Sequence, residues 1–183
     1  MDAQTVFVKE AGRVSMSRMF GLASQEIEAI AMLGFQLYEQ GKVADAETIF
    51  NGLVALDSHV YYGYAGLGAL TLAEEKLDEA LRWLTRAADL NPEDPTVHAN
   101  LGEALLRQSR VEEAAEEFQK ALALDPREVD AGANRARAIL NGMRGILRTL
   151  DVPSESYQAV FRFDAAPAGP GLPRAGRHFF TNL

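Results

Sequence analysis

The side chains that could do chemistry in this 183-residue chain are few, and their spacing argues against catalysis. There is no Cys, which removes disulfides, thiolate metal sites, iron–sulfur clusters and cysteine nucleophiles together. The three His stand at 59, 98 and 178, and no two share a helix face at the spacing a zinc site needs. Glu112, Glu113, Glu116 and Glu117 form i, i+4 carboxylate pairs. Paired carboxylates are what acid/base work requires, but a run of this kind reads as a solvated outer helix face. Gly63, Gly66 and Gly68 spell G-x-x-G-x-G, yet a dinucleotide site needs a preceding strand inside a βαβ unit, and the surroundings here read as helix. The stretch from Gly171 to Gly176 lacks the Lys-Ser/Thr end of a phosphate-binding loop. The sequence therefore points to a protein that is not an enzyme and holds no metal and no cofactor.

Composition narrows the class. The chain is 48% hydrophobic and 24% charged, a globular balance. Its formal charge of -8 disfavours nucleic acid as a partner, because phosphate binding needs a surplus of Lys and Arg. No apolar run approaches the roughly 18–20 residues that span a bilayer, so no stable membrane insertion is expected. The opening residues carry Lys9, Glu10 and Arg13 where a signal peptide would be apolar. The expected location is cytoplasmic.

The elements that position any site come from an internal repeat. Leu33-Gly34, Leu67-Gly68 and Leu101-Gly102 recur at intervals of 34, and the same offset carries Ala46, Ala80 and Ala114. It also relates Phe50, Leu84 and Phe118, Val43, Leu77 and Val111, and Leu56, Leu90 and Leu124. Each unit holds two runs of helical spacing separated by short turns, and Asp94-Pro95 is a good helix start. The spacing predicts an all-α stack of helical hairpins with units at 27–60, 61–94 and 95–128.

These columns resemble the tetratricopeptide repeat (TPR), and the resemblance covers all three units. It implies a right-handed superhelix whose first helices line a concave groove. On that frame the groove residues are Met32, Phe35, Tyr38, Tyr62, Ala65, Ala69, Leu72, Ala99, Asn100, Glu103 and Leu106. Phe35, Tyr38, Tyr62, Leu72 and Leu106 are expected to form a continuous apolar floor with alanines between them. An exposed apolar strip of this size marks a binding site, and each anchor that leaves water contributes roughly 1.5–3 kcal/mol before ordering costs. TPR co-chaperones that clamp a terminal carboxylate use Lys, Asn and Arg here. Met32 and Gly66 replace two of those donors and only Asn100 remains, so such a clamp is not expected.

The flanks differ in character. Residues 1–26 are expected to be an N-terminal extension with a short helix, since Phe7, Ala11 and Val14 have helical spacing and are followed by Met16, Met19 and Phe20. Residues 129–150 read as a capping helix for the open end of the stack, with Arg135 and Ala136 in place of a Leu-Gly pair. Over 27–126 there are 7 basic and 18 acidic residues, a net -11, whereas 127–150 is +3. Residues 151–183 are expected to be a flexible Pro/Gly-rich tail whose Phe161, Phe163, Phe179 and Phe180 read as a docking motif for a partner or for the chain's own groove.

A narrower resemblance rests on Tyr38, Gly41, Ala46, Phe50, Leu53, Leu56 and Asp57, followed by Gly66-Leu67-Gly68-Ala69. This pattern is similar to the class II chaperones of type III secretion systems. It implies a small cytoplasmic chaperone, dimeric through its N-terminal region, that holds an extended apolar segment of a protein client such as a secreted translocator. The competing reading is a TPR scaffold or adaptor subunit whose groove is filled by a neighbour or by its own tail.

Overall fold

Small residues at fixed places in each unit decide how the helices pair. The computed structural model describes residues 15–153, the side chain of Arg18 excepted, and the structure there is all-helical. After the one-turn α1 (Met16–Met19) come α2 (Ser24–Glu39), α3 (Val43–Leu56), α4 (Tyr61–Ala73), α5 (Leu77–Leu90), α6 (Pro95–Arg107), α7 (Val111–Leu124) and α8 (Ala131–Thr149). The helices α2/α3, α4/α5 and α6/α7 are the expected hairpins, and α8 covers the end of the stack.

Within each hairpin a glycine faces a large side chain. A Cβ on Gly34 would lie 2.7 Å from the Phe50 ring, one on Gly68 2.6 Å from Leu84, and one on Gly102 2.6 Å from Phe118. These contacts bring the two backbones together and leave Phe50, Leu84 and Phe118 without exposed surface. Ala46, Ala80 and Ala114 are sealed in the same way. The hairpin turns also repeat. Gly41, Glu75 and Ser109 all have left-handed backbone, with φ of 73°, 62° and 62°. Each lets the following amide bond back across the turn, as in Lys42 N–H to Leu37 O at 2.9 Å, closing the first helix of its hairpin.

Two boundaries depart from the repeat frame. α2 begins at Ser24 rather than 27, because the Glu26 carboxylate accepts the Ala23 N–H at 2.8 Å and supports an extra turn. α8 begins at Ala131, where Asp130 accepts the Ala133 N–H at 2.7 Å. Of the N-terminal extension, α1 is held to the α3–α4 turn by the Ser17 hydroxyl, which donates to Asp57 at 2.9 Å. Phe7, Ala11 and Val14, and the tail from 154 onward, lie outside the described residues.

His98 and Glu117 tie α6 to α7. Both imidazole nitrogens face acceptors, Nδ1 at 2.7 Å from Glu117 Oε2 and Nε2 at 3.0 Å from the Pro92 carbonyl, so the ring fits there as a double donor. Burial works against the charged ring, but the bonds to Glu117 and Pro92 outweigh it and raise the His98 pKa, with Lys120 opposing. Burial likewise opposes ionisation of Glu117, and the bonds from His98 and Lys120 outweigh it and lower its pKa. Glu117 is thus a packed hydrogen-bond acceptor, a correction to the solvated run expected from the sequence. The raised His98 pKa stabilises fully below the ordinary 6.5 and is lost as pH rises through the folded value. The lowered Glu117 pKa stabilises above the ordinary 4.5 and is lost as pH falls. The stability gap between wild type and His98→Gln is therefore expected to be widest between these two ordinary values, at about 1.5–2 kcal/mol, and to shrink at alkaline pH. Urea unfolding across pH measures it, and a gap independent of pH refutes the ionic reading.

Candidate peptide-binding groove

The first helices of successive hairpins touch one another, α2 on α4, α4 on α6 and α6 on α8, and no comparable contact joins α3 to α5 or α5 to α7. The first helices therefore line the inner, concave side. Turning in succession from α2 to α8, they present two chemically different halves.

The half nearer the N-terminus is apolar. Met32, Phe35 and Tyr38 on α2, and Tyr62 and Ala69 on α4, are all half-buried, with part of each surface left to solvent. The Phe35 ring lies 4.8 Å from Phe50, and the Tyr62 ring 4.2 Å from Tyr61. Burial raises the hydroxyl pKa of both Tyr38 and Tyr62. These side chains are partly packed and partly exposed, as a binding floor requires.

Four expected floor residues are not open. Leu72 is 5% exposed and packs in the core with Ala99, Leu101, Ala104 and Leu105. Ala65 and Ala99 are buried as well, and so is Asn100. The cause is the close approach of successive hairpins: α4 and α6 meet over Leu72 and close the strip at that point. Gly66, placed on the concave face by the repeat frame, lies instead against Phe50, 2.3 Å from where its Cβ would be. The continuous apolar floor from Phe35 to Leu106 is accordingly shortened.

The other half is polar. Glu103 and Leu106 are half-buried on α6. Glu103 accepts from Arg107 at 2.5 Å and pairs with Arg135 Nε at 3.2 Å. Arg135 also donates to Asn100 Oδ1. Arg107 reaches Glu75 at 2.9 Å and the Leu72 carbonyl at 3.3 Å. The charge on Arg135 and Glu103 is felt at the Tyr38 hydroxyl, so the two halves face a common space. The role of Arg135 was not assigned from the sequence. Its signal was register, since it occupies, one repeat further on, the column that holds Leu67 and Leu101.

His59 is exposed in the α3–α4 turn with Nδ1 3.3 Å from Asp57. Among the described residues no group of three His, Asp or Glu could hold a metal ion, and no helix is long and apolar enough to cross a membrane. His178 lies outside the described residues.

Comparison with known proteins agrees with this geometry. The tetratricopeptide repeat model matches residues 32–95 and 67–129. The chain is similar to the low calcium response locus protein H of Yersinia pestis, 29% identical over 93 residues that make up 51% of this chain and 54% of that protein. It spans about half the length of the curated relatives it matches. Its fold is similar to the type III secretion translocator chaperone SycD of Yersinia enterocolitica, with a TM-score of 0.60, 24% identity, and coverage of 70% of this chain and 98% of that one. It is also similar to PcrH from Pseudomonas aeruginosa, with a TM-score of 0.56, 30% identity, and coverage of 67% and 94%. PcrH has a further structure in complex with the chaperone binding region of PopB.

Proposed function

The chain belongs to the tetratricopeptide repeat family, and from that premise we propose that it is a non-enzymatic cytoplasmic chaperone whose groove holds an extended apolar segment of a type III secretion translocator. The observation that carries the reading is the row of half-buried Met32, Phe35, Tyr38 and Tyr62 on two adjacent inner helices. A membrane-inserting client needs its apolar segments covered before export, and apolar side chains already half-ordered by packing offer that cover at low ordering cost. Likeness to SycD and PcrH supports the assignment of class. The reading includes self-association through the N-terminal edge. Met19 and Phe20 are each 72% exposed there, and Leu33 is 47% exposed where its repeat equivalents Leu67 and Leu101 are covered.

Co-expression with the translocators of its own secretion system tests this. The wild-type chain is expected to keep one of them soluble and to purify with it. Tyr62→Ala is expected to weaken that complex about tenfold, the loss of one ring contact, without changing the melting temperature by more than a few degrees. Leu72→Ala is no substitute for this variant, because it cuts the core. Equal protection by Tyr62→Ala, or no complex with the wild type, refutes the proposal.

A further inference from the structure

On the convex side, α5 carries a shallow cavity of about 400 Å³ lined by Leu81, Arg82, Thr85, Arg86 and Asp89. Arg82 and Arg86 are exposed and one helical turn apart. Neither has an ion pair within 4 Å among the described residues. The Arg86 guanidinium lies 5.8 Å from the centre of the Tyr64 ring, which restrains it. Four other cations of the hairpins are paired, Lys76 with Glu74, Arg107 with Glu103, Arg110 with Glu113 and Lys120 with Glu117. The two arginines are not part of the repeat either, since the matching positions are Thr48 and Gly52 in the first unit and Glu116 and Lys120 in the third.

We infer that this cavity is a second protein-binding site, which takes an acidic segment of a partner with two carboxylates about one helical turn apart around an apolar residue. The lining sets two guanidiniums against the single Asp89 carboxylate, and this positive balance selects the occupant. Two guanidiniums offer planar donor forks suited to carboxylates, and Leu81, the residue before Arg82, meets the apolar residue. A nucleic acid is a poor fit, because the surrounding hairpins carry a net -11 that repels a long polyanion, whereas a short segment meets mainly the local field. A membrane is a poor fit as well, because Leu81 is the one apolar lining residue and is half-buried. The site faces away from the groove, so the two can be filled together.

The test uses a short fluorescein-labelled peptide with two glutamates four positions apart around a leucine, and its twin with glutamines. Fluorescence anisotropy with the full chain is expected to show binding of the acidic peptide, at least about tenfold weaker binding of the amide twin, and weakening as salt rises from about 50 to about 200 mM. Arg82→Gln and Arg86→Gln are each expected to reduce acidic-peptide binding about tenfold. Because Arg86 touches Tyr64, Arg82→Gln is the deciding variant if the melting temperature of Arg86→Gln falls. Equal binding of both peptides, unchanged binding by Arg82→Gln, or binding of phosphatidylserine vesicles in place of the peptide overturns the inference.

Discussion

Phe50→Ala is expected to lower the unfolding free energy by about 3–5 kcal/mol, the range for truncating a sealed aromatic side chain. A domain of this size has roughly 5–15 kcal/mol in total, so the variant should sit near the edge of folding. Phe50 has no exposed surface and occupies a slot between two glycines, Gly34 of its own hairpin and Gly66 of the next. It also meets the ring of Phe35. Deleting the ring therefore loosens both the first hairpin and its junction with the second. Two of its walls are glycine backbone, which cannot collapse into the space, and this keeps the cavity term large. Phe50→Leu, the residue type that serves at position 84, should cost under about 1.5 kcal/mol. Contacts in a solenoid run between neighbours, so amide exchange in Phe50→Ala should accelerate first over residues 24–73 and last over 131–149. Urea unfolding with exchange mass spectrometry reads both. A loss below about 1 kcal/mol, or uniform acceleration along the stack, contradicts this account of the slot.

The alanine column and the large-residue column four positions on reported burial inside a hairpin faithfully, because helical spacing fixes which side of a helix meets its partner, whereas Leu33 and Val43 of other repeating columns are exposed. Ala46, Ala80 and Ala114 and the large residues four positions on are all sealed. Distances between hairpins were not legible in the same way. Periodicity gives the direction of Leu72, Ala65, Ala99 and Asn100 but not how near the next helix comes, and all four are covered. The turns hid another feature. Gly41 announces a left-handed residue, while Glu75 and Ser109 adopt the same backbone with no such sign, because the hairpin closure outweighs their local preference. Arg135 stood in a leucine column, and its bonds to Asn100 and Glu103 give it a place at the polar end of the groove.

Gly132→Ala tests how the last helix is fixed, because two effects of opposite sign compete there. Helix propensity alone favours alanine by about 1 kcal/mol in a helix interior. At Gly132, however, a Cβ would lie 2.7 Å from the Cα of Thr96, a backbone atom of α6 that has no rotamer to escape into. α8 would have to move away from α6. The first bonds stretched would be those from the Thr96 hydroxyl to the Asp130 carboxylate, 3.1 Å to each oxygen, which sit beside the cap of α8. Overpacking costs about 1–3 kcal/mol and a weakened bond to a charged group about 1.5–3 kcal/mol, so the steric effect wins and the net loss should be about 2–4 kcal/mol. Gly142 and Gly145 lie on the same helix with nothing within 4 Å of a Cβ. Alanine at either should raise stability by up to about 1 kcal/mol. The three variants thus separate helix propensity from close approach by the sign of the change in melting temperature. A rise for Gly132→Ala equal to that for Gly142→Ala means that α8 does not press on the Thr96 backbone.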